Sequence, residues 1–403
     1  MNGTTEHPPG HARRIAVLVA FMTMLAPFSI DTYLPSFPEI AREFGATHVQ
    51  MQQTMSLYLI AFAVMTLVYG PLADAFGRRI VVLWAVGLYG LASAGCAQAD
   101  SIGELLLFRI AQGLSASSGF VVGRAVVRDA FAGARAQKVM SNIMLMFAVA
   151  PALAPIIGGY LHDAFGWRAV FWFLAFVGGA LWLLVYMRLP ETLTVEQRHS
   201  IHPVAVGRVY GRALSTGGFM VLVIIIGLNF GGMFLYVAGA PVLIYEHLGL
   251  GAEDFYVLFV PLVAGIMLGS FISGRLAGRI DMLRSAGIGF AFMAFAVLFN
   301  LGQALWLPLQ GWLAVLPVAV YAFGNALTVP SLSLLALDYF PYNRGMASAV
   351  QGFIHTGGNA LVAGALVPMV AYAVSGMALG QAALYLCALS LWLAWLWAAR
   401  QEA

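Results

Sequence analysis

Twelve apolar stretches, most of them about twenty residues or longer, restrict what this chain can fold into. They run roughly over 15–34, 51–73, 80–98, 102–127, 138–161, 168–187, 216–245, 253–277, 284–304, 309–336, 346–372 and 377–399. A helix of ~20 apolar residues crosses the ~30 Å hydrocarbon layer of a bilayer. It also satisfies its own backbone where no water can. The sequence therefore predicts an all-α membrane protein with twelve transmembrane helices embedded in lipid. Charged residues agree: they make up only 9% of the chain, against about 25% in soluble domains. The net charge is only +3 and the basic residues are scattered among loops, so no nucleic-acid partner is expected. Cys96 and Cys387 each lie inside an apolar run without a CxxC spacing. Neither a disulfide nor a metal site is expected from them.

The stretch 188–215 is the longest polar interruption. It divides the chain into an N-terminal six-helix bundle (1–187), a linker (188–215) and a C-terminal six-helix bundle (216–403). With the N-terminus in the cytoplasm, seventeen of the twenty Lys and Arg residues fall on that side. Arg42 and Arg168 fall on the other, and Arg109 lies within a segment. Basic residues resist translocation, so both termini and the linker are expected inside. The first fourteen residues are polar, and the apolar run after them lacks a small-residue cleavage site. It reads as a retained first span rather than a signal peptide.

Ionisable side chains within a bilayer cost several kcal/mol unless paired or hydrated, which makes each one a candidate for function. Asp31 stands near the outer end of the first segment, and Arg109 about two turns into the fourth. Asp31 is either a functional group or a solvated, paired carboxylate that fixes the first helix. Arg109 stays charged at any relevant pH and needs water, a carboxylate or backbone carbonyls around it. In the fifth segment, Pro151, Pro155 and the pair Gly158-Gly159 bend a helix and admit a close neighbour. Between the second and third segments runs Gly70-Pro71-Leu72-Ala73-Asp74-Ala75-Phe76-Gly77-Arg78-Arg79. Its glycines permit close approach and turn dihedrals, and Asp74 can pair with the arginines or face a helix N-terminus. A half-copy, Gly274-Arg275-Leu276-Ala277-Gly278-Arg279, follows the eighth segment. No Walker A sequence, HExxH or nucleophile elbow is present, so neither ATP-driven transport by this chain alone nor an enzyme is expected.

Gly70 to Arg79 resembles motif A of the major facilitator superfamily, and Arg109-x-x-Gln112-Gly113 its motif B. Ala154-Pro155-x-x-Gly158-Gly159 is similar to motif C, the antiporter signature, with Ala154 in place of the usual glycine. Arg188-Leu189-Pro190-Glu191-Thr192-Leu193 resembles the turn common after helix six of that superfamily. Asp31-Thr32-Tyr33-Leu34-Pro35, Leu57-Tyr58, Arg128-Asp129 and Gly231-Gly232-Met233-Phe234 narrow the likeness to the Bcr/CflA branch of bicyclomycin- and chloramphenicol-resistance-type drug:proton antiporters.

The resemblance implies two pseudo-symmetric six-helix bundles in a bacterial inner membrane and a monomeric antiporter that exports small hydrophobic drugs against protons by alternating access. The proton is the coupling ion, and no cofactor or metal is implied. Asp31 would be the titrating carboxylate and Arg109 the cation that tunes it. Thr23 stands where some exporters carry a second acid. Gly70, Asp74, Gly77, Arg78, Arg79 and Asp129 would form the cytoplasmic gate, with Asp74 facing the helix that starts near Gly345. Pro151, Pro155, Gly158 and Gly159 would form the antiporter motif. Segments one, four, seven and ten would line the cavity, making Thr23, Tyr33, Gln112, Ser115, Asn229, Tyr236, Asn325 and Ser331 substrate contacts. Each of these also has a reading as a helix–helix hydrogen bond. His355 and Asn359 share a face of the eleventh segment. A packed, hydrogen-bonded His355 is favoured over a proton relay. The alternatives are a proton-coupled importer or metabolite exporter on the same fold, and a non-transporting membrane receptor.

Overall fold

A computed structural model of the chain describes residues 9–131, 133–198, 203–306 and 311–401. The described residues are almost entirely helical, in the order α1 (Pro9–Asp31), α2 (Phe37–Phe44), α3 (His48–Phe76), α4 (Arg78–Ala97), α5 (Ile102–Ala130), α6 (Gly133–Phe165), α7 (Trp167–Arg188), α8 (Pro203–Ser215), α9 (Gly217–Ala238), α10 (Tyr256–Leu276), α11 (Met282–Trp306), α12 (Gly311–Asp338), α13 (Arg344–Leu361), α14 (Val367–Val370) and α15 (Val374–Gln401). Among the described residues, twelve helical stretches, from Arg14–Phe44 to Val374–Gln401, are long and apolar enough to cross a membrane. Large apolar side chains stand outward, Trp84 with 77% of its surface exposed and Phe176 with 74%. Such a surface suits hydrocarbon and would aggregate in water.

The expected ends differ from the observed ones where a local residue breaks the helix. The first segment does not run unbroken to residue 34. It stops at Asp31, and a tight turn over Leu34–Ser36 leads into α2. Pro35 lacks the N–H that a continuing helix needs. The seventh segment stops at Ala238, and a wider turn over Val242–His247 follows Pro241. The eleventh opens into another wide turn over Val362–Leu366. The stretch expected to be only a linker contains α8.

Contacts divide the chain into two compact units, one of Met1–Ala46 and Ile60–Pro203, the other of Thr47–Leu59 and Val204–Ala403. The first residues of α3, through Leu59, thus group with the second unit. Glycines set the closest helix approaches inside each unit. In the first, a methyl at Gly119 of α5 would overlap the Met22 carbonyl of α1, and one at Gly158 of α6 would overlap the Thr32 carbonyl. In the second, Gly265 and Gly269 of α10 lie against the Ala319 and Phe323 carbonyls of α12, and Gly289 of α11 lies against Gly324. In lipid such small-residue contacts supply the packing that apolar burial supplies in water.

Candidate functional site

The first unit holds a buried polar network where α1, α4 and α5 meet. Arg109 projects from α5 with no exposed surface. Its Nη1 donates to the Ser29 carbonyl at 3.0 Å and to Gln112 Oε1 at 2.8 Å. Its guanidinium lies 4.3 Å from the centre of the Tyr33 ring. Gln112 in turn donates to Ser93 Oγ at 2.8 Å, and Ser29 Oγ shares a 2.6 Å hydrogen bond with the Tyr89 hydroxyl. A charge in lipid is thereby ringed by carbonyls, amide oxygen and an aromatic face, each favourable to a cation.

Asp31 ends α1, two residues after that Ser29 carbonyl. It is 3% exposed, and its Oδ1 accepts no hydrogen bond from any described residue. The helix breaks there, and Gly158 of α6 seats the next residue, Thr32. Proline-containing α6 therefore packs against the turn that carries the acid. Pro151 and Pro155 lie inside α6, as does Gly159.

The second unit carries a different set. Asn229 of α9 is fully buried, and neither end of its amide has a hydrogen-bond partner among the described residues. The Tyr321 hydroxyl, Asn325 Oδ1, His355 Nε2 and Asn359 Oδ1 are likewise buried and unpartnered there. Tyr321 and Asn325 share a face of α12, and the Tyr321 hydroxyl abuts Gly232 of α9. His355 packs edge-on to Phe230 of α9, ring centres 4.3 Å apart. It is packed as expected, but its Nε2 lacks the expected hydrogen bond. Buried polar groups without partners cost about 1–3 kcal/mol each.

The other expected contacts are engaged locally. Thr23 donates to Val19 O at 2.7 Å, and Ser115 to Ala111 O at 2.9 Å. Tyr33 is fully buried against Phe37 and Phe171, and Ser331 is buried in α12. The Tyr236 hydroxyl accepts from Asn300 Nδ2 at 2.6 Å, and Asn300 also donates to Gln381 Oε1 at 2.8 Å. Beside them is a cavity of about 10 Å³, large enough for roughly one water. Gln303 lines it with an amide that has no described partner.

In the stretch 70–79, where α3 turns into α4 at Gly77, Arg78 is the hub. Its Nη1 lies 2.5 Å from Asp74 Oδ1, and its Nε donates to Asp129 Oδ2 at 3.1 Å. Gly77 turns the chain with φ +100, as Gly278 does with φ +76 in the half-copy. Gly70 does neither task expected of it: it lies within α3, and a methyl there would meet nothing. Sequence reasoning missed Glu191. Its carboxylate accepts from Arg78 N at 2.9 Å and Arg79 N at 3.2 Å, capping α4 from across the fold. Arg79 Nη2 donates to Tyr186 O at 2.7 Å. The P-E-T-L spelling was the only sequence signal for Glu191.

These features agree with what the chain resembles. Residues 19–363 match the family described as Major Facilitator Superfamily. An uncharacterized MFS-type transporter, YdgK, of Bacillus subtilis is 35% identical over 362 residues, covering 87% of each chain. A bicyclomycin resistance protein homolog of Haemophilus influenzae is 28% identical over 336 residues, covering 83% of this chain and 84% of that one. Among solved structures, a D-xylose-proton symporter superposes with a TM-score of 0.74 at 17% identity, over 94% of this chain and 97% of the other. That likeness concerns the fold alone. The match makes the chain a multi-pass membrane transporter of small molecules rather than an enzyme. Its twelve spans, glycine-seated helices and charged α3–α4 turn are those of a membrane transporter, and the chain belongs to the major facilitator superfamily.

Proposed function

We propose that this chain is a proton-coupled antiporter that exports small hydrophobic compounds, antibiotics among them, across a bacterial inner membrane. Asp31 carries the proposal. It is a carboxylate within a spanning segment, 3% exposed, with one oxygen lacking a hydrogen-bond partner among the described residues. The energy of such a group depends strongly on whether it holds a proton. Its helix ends there, so gain or loss of that proton acts on a hinge rather than on a rigid rod. The Arg109 network anchors the same turn through the Ser29 carbonyl.

Alternation then follows from linkage. A proton stabilises one conformation and substrate the other, and each ligand shifts the equilibrium only by its differential affinity. The unpartnered amides of Asn229 and Asn325 supply hydrogen bonds to a neutral, amphipathic substrate on an otherwise apolar wall. Gln112, Thr23 and Ser115 are better read as positioning groups, since their polar atoms are engaged inside the unit. The Arg78 cluster serves as the cytoplasmic gate, with both termini on that side, and the chain acts as a monomer. Support for the drug class comes from the bicyclomycin-resistance relative and from the motif C likeness in α6. A proton-coupled importer or metabolite exporter would use the same acid.

The test is an antibiotic panel in an efflux-deficient bacterial host. Expression should raise the inhibitory concentration of neutral amphipathic drugs, and a proton uncoupler should abolish that protection. Protection that survives the uncoupler, or none across the panel, would overturn the reading.

A further inference from the structure

Arg124 of α5 stands apart from the arginines that have ion pairs. Arg78, Arg168, Arg198 and Arg344 each have a carboxylate within 4.0 Å, and Arg109 has carbonyl and amide oxygens. Arg124 has no ion pair or hydrogen bond to any described residue. Its guanidinium lies over the Phe120 ring, 3.8 Å from the ring centre. It is partly accessible and lies five residues before Asp129, roughly 7.5 Å deeper along the helix than the Arg78 cluster. A guanidinium remains charged and presents five donors in a planar fork. A π-face offsets only part of that demand.

Its neighbours on the helix complete a shape. Ser117, Phe120 and Arg124 are spaced i, i+3 and i+7, which places them on one face. Ser117 has no exposed surface, and its Oγ has no partner among the described residues. Phe147 of α6 lies beside Phe120, ring centres 6.0 Å apart, tilted at 45°. The face thus offers a hydroxyl at its deep end, two aromatic rings in the middle and an unneutralised guanidinium toward the Asp129 end. Ser117 and Arg124 are about 10.5 Å apart along the axis.

We propose that this face is a binding subsite for an organic anion: a carboxylate or phosphate on Arg124, an apolar body against Phe120 and Phe147, and a polar group reaching Ser117. The anionic group comes either from a transported organic anion or from the headgroup of a membrane lipid. The subsite differs in chemistry from the neutral amide wall of the second unit. It admits substrates that the wall alone would not favour.

The experiment is equilibrium binding to the full-length protein in nanodiscs, so it stands independently of whether export is proton-driven. The probes are 2-naphthoate and its uncharged counterpart 2-naphthamide, measured in phosphatidylcholine discs. The parent should bind naphthoate at least about tenfold more tightly, as a charge-assisted hydrogen bond predicts. In Arg124→Gln that preference should vanish, the affinity for naphthoate falling to about that for naphthamide. Arg124→Lys should retain part of it, which separates loss of charge from loss of fold. Adding phosphatidylglycerol identifies the resident anion. If it weakens naphthoate binding to the parent but not to Arg124→Gln, a lipid phosphate shares the subsite. If it does not, the subsite is reserved for organic anions. Equal binding of the two probes to the parent, or a preference that persists in Arg124→Gln, overturns the proposal and leaves Arg124 as an arginine that only anchors α5 at the interface.

Discussion

At the scale of single residues, the Arg109 network depends on a fork that touches three groups from one backbone position. Lysine keeps the charge but not the plane that lies over Tyr33 while bonding Ser29 and Gln112. Arg109→Lys and Arg109→Ala should both insert normally and lose most transport. Uptake assays on purified, reconstituted variants check this, and full transport by Arg109→Lys would show that a point charge suffices. Glu191→Gln weakens a cap that bonds two backbone N–H groups of α4. The expected loss is about 1 kcal/mol, read as a lower thermal midpoint in detergent. The burial of Asp31 and Arg109 was legible because each stands inside an apolar run. Glu191 was not legible as a cap, since its partners are more than a hundred positions away and the carboxylate sits in an ordinary polar linker. Gln112 shows a related limit. A membrane helix is apolar on every side, so spacing does not reveal whether an amide faces a cavity or a neighbouring helix.

At the scale of elements, α6 and α1 are matched through Gly158 and the Thr32 carbonyl. Gly158→Ala puts a methyl into that carbonyl, an overpacking that costs about 1–3 kcal/mol. It should also displace the turn that holds Asp31. Transport should therefore fall more than the thermal midpoint does, whereas Gly70→Ala, with open space around it, should change neither. Comparing both variants in one uptake and one melting assay checks the pair. The twelve segments were legible from hydropathy alone, because lipid demands about twenty apolar residues per crossing. Their ends were less so. The break after Asp31 and the wide turns near Pro241 and Val362 are set by local backbone chemistry that hydropathy averages away. α8 escaped notice because Gly207 and Gly211 disguise a short helix in a polar stretch.

At the scale of the whole molecule, the proposed proton site, Asp31, belongs to the first unit and the unpartnered amides of Asn229 and Asn325 belong to the second. The basic residues argue for cytoplasmic termini. With Cys96 and Cys387 replaced by serine, a single cysteine placed in α8 should therefore react with a membrane-impermeant thiol reagent only in inverted vesicles, and reaction in intact cells would reverse the topology. The central claim is that Asp31 exchanges a proton for substrate. It is tested most directly in proteoliposomes loaded with a neutral drug from the susceptibility panel, with a pH gradient imposed across the membrane. The parent should move drug uphill as protons flow down, and Asp31→Glu should do so more slowly. Asp31→Asn, which keeps the volume but cannot titrate, should still bind drug and equilibrate it without accumulation. Gradient-driven accumulation by Asp31→Asn at the parent's rate would contradict the account.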